Sequence, residues 1–181
     1  MKNLFFFLAT IVLLNACNKK SDPEPVLPGN YWGEATGYKN GVLWSSYPAC
    51  WIDLIDKNTI TVELDSFYKG YRLYYARESL IISKIPPFPG TYKVEKFKLN
   101  VTNVYSHLSF WDDDQLLGEY DILESDSNTN LVTLQSIDTL SKEIRGSFNL
   151  SYLVQHRPYP NAPDTIRFKN GMFHGKIIKK Y

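Results

Sequence analysis

Cysteine is scarce in this chain, with 2 in 181 residues. That scarcity excludes a disulfide-stapled small domain and any Cys-x-x-Cys zinc ribbon. Histidine is scarce too: His107, His156 and His174 are scattered, no two at a ligand spacing, so there is no His-Glu-x-x-His metal site. No charge predominates, 20 Lys and Arg standing against 19 Asp and Glu. The basic surface that a nucleic-acid partner requires is therefore missing. No apolar run reaches the roughly 20 residues of a membrane-spanning helix. A Gly-x-Ser-x-Gly elbow and a phosphate-cradling glycine loop are absent. These absences leave no catalytic residue, no metal and no cofactor to assign. The chain is read as a non-enzyme, the catalytic alternative being a hydrolase built from dispersed carboxylates, as in glycoside hydrolysis.

Two acidic clusters bear on that reading. Asp126-x-Asn128-x-Asn130 spaces its oxygens as a calcium loop begins, but Leu131 stands where the loop needs glycine and Ile137 where it needs a closing glutamate. It reads as a polar hairpin turn. Asp112-Asp113-Asp114, after Trp111, reads as a solvated turn.

What the chain does have begins at its N-terminus. Lys2 precedes an unbroken apolar run over residues 4–14 in which only Thr10 is polar. As a helix that run rises about 16 Å, half of a bilayer core of about 30 Å. A positive start, a short apolar stretch and small residues after it are the pattern of an export signal. Leu14-Asn15-Ala16-Cys17 resembles a bacterial lipobox, which implies cleavage before Cys17 and a diacylglycerol on its thiol, with a further acyl chain such as palmitate on the new amine. Several chains at about 0.8 kcal/mol per buried methylene make a firm anchor, where one alone is marginal. Asn18 after the cysteine resembles the outer-membrane class of such proteins, facing either the periplasm or the surface. Lys19-Lys20-Ser21-Asp22-Pro23-Glu24 bears a loose likeness to short charged signals for surface export. The expected divisions are a signal peptide over 1–16, a lipidated cysteine and proline-rich tether over 17–30, and one domain over 31–181. With Cys17 lipidated, Cys50 has no partner, and the domain is expected to stand without a disulfide, Cys50 being a small buried residue.

From Tyr31 onward the dominant period is two. Residues 59–64 alternate apolar and polar, and 143–152 do so for longer, with Ile144, Phe148, Leu150 and Tyr152 on one face. Alternation with β-branched and aromatic enrichment predicts half-buried antiparallel strands. Further strands are predicted over 49–56, 71–76, 79–85, 90–94, 104–111, 117–123, 131–137, 164–168 and 172–178. Asp56-Lys57-Asn58, Lys69-Gly70 and 126–130 are predicted turns, and Asn170-Gly171 carries the strongest two-residue hairpin signal. No amphipathic helix is apparent. The fold class is all-β: a single antiparallel β-sandwich, with a closed or partly open β-barrel as the alternative. Two proline-rich loops, 85–90 and 155–163, break the rhythm, and long loops on rigid β scaffolds often carry function.

Asn40-Gly41-Val42-Leu43-Trp44, Pro89-Gly90-Thr91-Tyr92-Lys93-Val94, 144–150 and 166–173 recur in an order that resembles a small all-β lipoprotein family of unknown function from Gram-negative bacteria. The likeness covers roughly 31–178; it implies fold and location and transfers no site residue. The positive functional signal is aromatic. Tyr31-Trp32, Phe67-Tyr68, Phe110-Trp111 and Tyr159 fall at strand ends or loops, and adjacent rings on a strand face opposite sides. Trp32, Trp111 and Tyr159 are the candidate ligand contacts, for a glycan or an envelope protein. The expected function is a membrane-anchored, non-catalytic binding or structural module of the cell envelope. The alternatives are a barrel carrying an apolar small molecule and a surface hydrolase.

Overall fold

Asn40 and Gly41 make the first tight turn. Both sit at positive φ, 50° and 81°, the pair of left-handed positions a two-residue hairpin turn demands and which Asn-Gly supplies at least cost. The turn joins β1 (Glu34–Lys39) to β2 (Val42–Ile52), placing Lys39 opposite Val42. Then follow β3 (Ile60–Tyr68), β4 (Ala76–Ile85), β5 (Gly90–Lys93), β6 (Tyr105–Asp112), β7 (Gln115–Ile122), a 3-10 turn over Glu124–Asp126, β8 (Leu131–Ile137), β9 (Glu143–His156) and β10 (Thr165–Lys176). The computed structural model describes residues 30–53, 58–68, 76–99 and 101–178. Cys17, the signal, the tether up to residue 29 and most of the expected strand 71–76 lie outside the described residues. Among the described residues no helix is long and apolar enough to cross a membrane.

The strands pair in the order β10-β1-β2-β3-β4-β6-β7-β9, and β9 pairs back onto β10. The expected two-layer sandwich is thereby corrected to a closed, antiparallel eight-stranded barrel, the architecture weighed as the alternative. The physical reason is the β9–β10 ladder, which runs from Glu143↔Lys176 to Leu153↔Thr165 and consumes both edges of the sheet. A sandwich would leave those edges open to solvent or to another chain.

Asn170-Gly171 is the second correction. These residues do not turn the chain; β10 runs straight through them with a bulge between Phe168 and Gly171. Asn170 takes the positive φ of 52° that the bulge needs. Gly171 faces inward, where a Cβ would stand 2.4 Å from the Phe148 ring. The hairpin formed at Asn40-Gly41 instead, because strands able to pair flank that dipeptide on both sides. β1 and the first half of β2 were not predicted, since Ser45, Ser46 and Pro48 dilute their alternation.

Inward-facing residues fill the lumen in layers. Leu64, Leu80 and Leu108 are fully buried side by side, and Val62, Ile82 and Ser106 form the next layer. Trp44 meets Phe168 edge-on at 5.0 Å and Phe148 at 6.2 Å, and Tyr152 meets Phe168 at 6.0 Å. Each such side chain contributes about 1.5–3 kcal/mol on burial. The Tyr152 hydroxyl is satisfied inside, 2.6 Å from Ser106 Oγ, which itself donates to the Ile81 carbonyl at 2.6 Å. Cys50 is a free, buried thiol among these side chains, pushed up to about 12 by burial and so kept protonated.

One seam needs a special device. β9 offers a single edge to two partners: β8 along Ile144–Asn149 and β7 along Tyr152–His156. At the join, the fully buried Asn130 stands in for a peptide group. Its Oδ1 accepts from the Ser151 amide at 2.8 Å, its Nδ2 donates to the Leu123 carbonyl at 2.9 Å, and its own carbonyl accepts from Val94 at 2.9 Å. The residue that ends the 126–130 cluster, expected within a polar hairpin turn, is thus a buried strut. Removing its amide strands two buried backbone groups, each costing about 1–3 kcal/mol. Asn130→Ala is expected to lower the unfolding free energy by about 2–4 kcal/mol in urea titrations, while Asn128→Ala, exposed two residues earlier, shifts the midpoint little.

Candidate functional site

Three described hairpin connections gather at one end of the barrel: residues 40–41, 113–114 and 157–164. The whole β3–β4 connection, residues 69–75, lies outside the described residues. Strand alternation turns polar side chains into this mouth. Glu78 follows the inward face of Leu80 and Ile82, and Lys39 follows that of Ala35 and Gly37. Glu78 is only 4% exposed, a costly place for a carboxylate unless both oxygens are satisfied. They are. Trp44 Nε1 donates to Oε1 at 3.1 Å, and Lys39 Nζ pairs with Oε2. The same Lys39 ammonium stands 5.1 Å from the centroid of the Phe110 ring.

Above this pair, Tyr68, Ala76 and Asp112 form the inward-facing rim, paired in one row across β3, β4 and β6. Asp112 Oδ1 is buried and has no hydrogen-bond partner. The Tyr68 phenol is pushed up to about 12 by burial, reinforced by the charges of Glu78, Tyr159 and Asp112. The 157–164 connection folds over this end. Pro158 lies so close on Gly118 that a Cβ there would meet its nitrogen at 2.4 Å. Tyr120 donates to the Pro163 carbonyl at 2.8 Å, Ala162 is buried, and Arg157 ties the loop by bonding the Ala162 carbonyl and Asp164. The result is a cluster of rings and charges over a filled lumen; barrel mouths are a common place for small ligands to bind.

The three candidate aromatics do not share a surface. Tyr159 sits in the loop at the mouth and is 54% exposed. Trp111 precedes Asp112 but faces the outer wall, its Nε1 donating to Ser109 Oγ at 2.8 Å and its ring lying 5.6 Å from the Arg77 guanidinium. Trp32 lies exposed against β10, edge-on to the His174 ring at 5.0 Å with Lys176 at 5.6 Å. Lys39, Glu78 and Tyr68 were missed as site residues. Their signal was a charge or phenol at an inward position of an alternating strand, visible only once the phase of the strand is known. Asp112 was noticed, but as a solvated turn residue.

Two other places on the barrel carry polar clusters. On the outer wall of β3, Asp65 is fully buried and bonded by the Tyr31 hydroxyl, with Arg77 at 3.6 Å and Asp65 Oδ1 unpartnered. Burial, then the neighbouring Glu63 carboxylate, raises its carboxyl to about 6; Ser79, Tyr31 and Arg77 oppose the rise. This is a carboxylate pair with one raised member, as a hydrolase would need, but Tyr31 seals Asp65 from any substrate. The second place is a groove of about 580 Å³ between the 124–130 segment and the outer faces of β9 and β10. Asn128, Asn149 and Lys169 line it beside the Arg167–Asp126 ion pair at 3.3 Å. Among the described residues no three His, Cys, Asp or Glu side chains converge as a metal site.

No family model, no curated protein and no solved structure matches the chain.

Breaking the mouth's ion pair leaves a charge stranded. Lys39→Met is expected to cost about 3 kcal/mol in equilibrium unfolding, and Glu78→Gln in the same chain to restore most of it, because the pair itself is worth little against neutral side chains. For Asp65, the unfolded carboxyl titrates near 3.8 and the folded one near 6. Its contribution to stability is therefore fully present below the lower value and is lost as pH rises through the upper one. Relative to Asp65→Asn, the wild-type protein is expected to lose up to about 3 kcal/mol of stability between about pH 4 and pH 7. Parallel pH–stability curves for the two proteins would refute this.

Proposed function

We propose that the protein is a lipid-anchored lipoprotein of the outer membrane, held by acyl chains on Cys17, whose barrel is a non-catalytic binding module taking a small ligand at its mouth. The lipobox-like sequence and the short apolar run before it support the location. The binding reading rests on one observation: the lumen is packed with Trp44, Phe148, Tyr152 and Phe168, while among the described residues the inward-facing ion pair of Lys39 and Glu78 lies at the end covered by the 157–164 loop. A barrel needs no charged residue facing inward for its own stability, and such departures from a consistent core mark functional sites. The packed lumen speaks against deep carriage of an apolar molecule, and the sealed Asp65 speaks against hydrolysis at the wall.

A second reading has its own observation. The groove beside Arg167 presents amide donors and acceptors from Asn128 and Asn149 together with a fixed ion pair, a surface chemistry that suits glycan hydroxyls. The two sites are told apart by one measurement on the isotope-labelled lipoprotein in detergent micelles. A panel of small polar metabolites and envelope glycans is titrated while the Trp44 indole N–H and the Asn149 side-chain amide are followed by NMR. Movement of Trp44 supports the mouth, movement of Asn149 alone supports the groove, and a silent panel at both rejects the binding module. Cys17→Ala is expected to shift the protein from the membrane to the soluble fraction; unchanged fractionation rejects the anchor.

A further inference from the structure

At the end of the barrel opposite the mouth, one segment is inverted. Glu95-Lys96-Phe97-Lys98-Leu99-Asn100-Val101 alternates polar with apolar residues, the pattern that elsewhere in this chain buries the apolar set. Here it does not. Lys96 reaches Asp121 on β7 at 2.8 Å and Lys98 reaches Glu95 at 3.8 Å, while Phe97 is 52% exposed, Leu99 78%, and Val101 is open to solvent as well. The segment is held in that posture. The Asn103 amide donates to the Lys96 carbonyl at 3.3 Å and the Lys84 ammonium to the Val101 carbonyl at 3.2 Å, and the Phe97 ring rests against that of Tyr105 with centroids 5.0 Å apart. Two neighbouring connections do the same. Phe88 is exposed in 86–89, and Leu140 is 94% exposed on a turn fixed by Asp138 Oδ1, which accepts from the Leu140 and Ser141 amides. The three connections share one end because β4 and β8 finish there and β6 and β9 begin there. Single exposed apolar side chains are ordinary, but several at one end, with Lys84, Lys93, Lys98 and Lys142 among them, mark an interaction surface.

We propose that this end of the barrel docks on a phospholipid bilayer, with Phe97, Leu99 and Leu140 entering the headgroup–acyl boundary and the lysines pairing with lipid phosphates. The inference rests on the membrane location proposed above and adds the barrel's orientation: the mouth faces away from the bilayer. Two observations choose a lipid surface as the occupant. The first is where the chain enters. Glu34 pairs with His174 near the end of β10, and the Trp32 amide bonds the Pro48 carbonyl at 3.0 Å, so the residues before Asn30 reach the barrel from this side. The second is chemistry. Apolar tips from three separate loops, flanked by ammonium groups on long alkyl stems, match a boundary that is apolar within and anionic at its surface.

The test uses the mature chain over 18–181, which keeps every described residue and carries no acyl group, so its outcome does not depend on Cys17. It is floated with phosphatidylcholine vesicles, with and without phosphatidylglycerol. Reversible binding is expected, several-fold tighter on the anionic vesicles. Phe97→Ser with Leu99→Ser is expected to weaken it about tenfold, which corresponds to about 1.4 kcal/mol. Leu43→Ser, as exposed at 74% but beside the 40–41 turn at the other end, is expected to change nothing. Independently of any variant, spin-labelled lipid is expected to broaden the amide signals of Phe97, Leu99 and Leu140 and to spare those of Asp113 and Tyr159. No binding to either vesicle, equal loss in the two variants, or uniform broadening overturns the docking face. Two other occupants are read without lipid. A dimer that Phe97→Ser with Leu99→Ser abolishes in sedimentation velocity assigns the surface to a second copy. Movement of the Phe97 and Leu99 amide signals on removal of residues 18–29 assigns it to the preceding chain. Either result overturns the proposal. Fractionation of Cys17→Ala decides the anchor separately, so the docking face can fail while the location stands.

Discussion

A closed barrel leaves no strand edge unpaired, and in this molecule closure has to pass through β9. That strand meets β10 along one edge and must serve two neighbours along the other, β7 above and β8 below. A peptide ladder cannot change partner without leaving a gap, because the strand that ends and the strand that begins cannot occupy the same place. The Asn130 side chain fills that gap with an amide of the same shape and polarity as the backbone it replaces. Its position also brings in β5, through Val94, so the small β5–β8 flap is tied to the barrel at the same point. The buried residues Val94, Val132 and Leu134 behind it depend on that tie to stay dry.

The mouth shows the opposite economy. Where the seam uses neutral amides, the mouth uses full charges in low dielectric. They are tolerable because Glu78 has a partner at each oxygen and Lys39 keeps part of its side chain in solvent. Such a pair contributes little net stability against neutral side chains of the same shape. The 157–164 loop closes over the same end. It is long for a hairpin, and its prolines and the Arg157–Asp164 pair fix it across the rim, an arrangement that limits its conformational freedom.

Legibility varied from element to element for identifiable reasons. The strands over 60–64 and 143–152 were plain because Ile, Val, Phe and Tyr alternate there with polar residues, and β9 needed only its extension to His156. β1 was hidden because its inward positions are Ala35, Gly37 and Lys39, which carry little hydrophobic signal. The loop at 157–164 and Tyr159 within it were visible from proline content alone. Lys39, Glu78 and Tyr68 were not, since a charge in a strand has the same sequence signature whether it points to water or to the lumen. Asn130 was drawn to notice by its spacing from Asp126, but its role depends on where Leu123 and Ser151 end up.

Taken alone, the amino-acid sequence determined an all-β chain without a disulfide in its domain, and the lipobox-like start that underlies the expectation of an anchor. Both are local properties: a period of two and a short contiguous run can be read without knowing which residues meet. Tertiary structure alone decided between sandwich and barrel, because the choice is made when β9 pairs with β10, and identical alternation serves either. It likewise decided which Asn-Gly turns the chain. Asn40-Gly41 has two partners to join, whereas Asn170-Gly171 is held straight by the long ladder to β9 and absorbs its left-handed residue as a bulge. The pairing of Lys39 with Glu78 is of the same kind: two residues far apart in the chain, on β1 and β4, meet only through the curvature of the barrel.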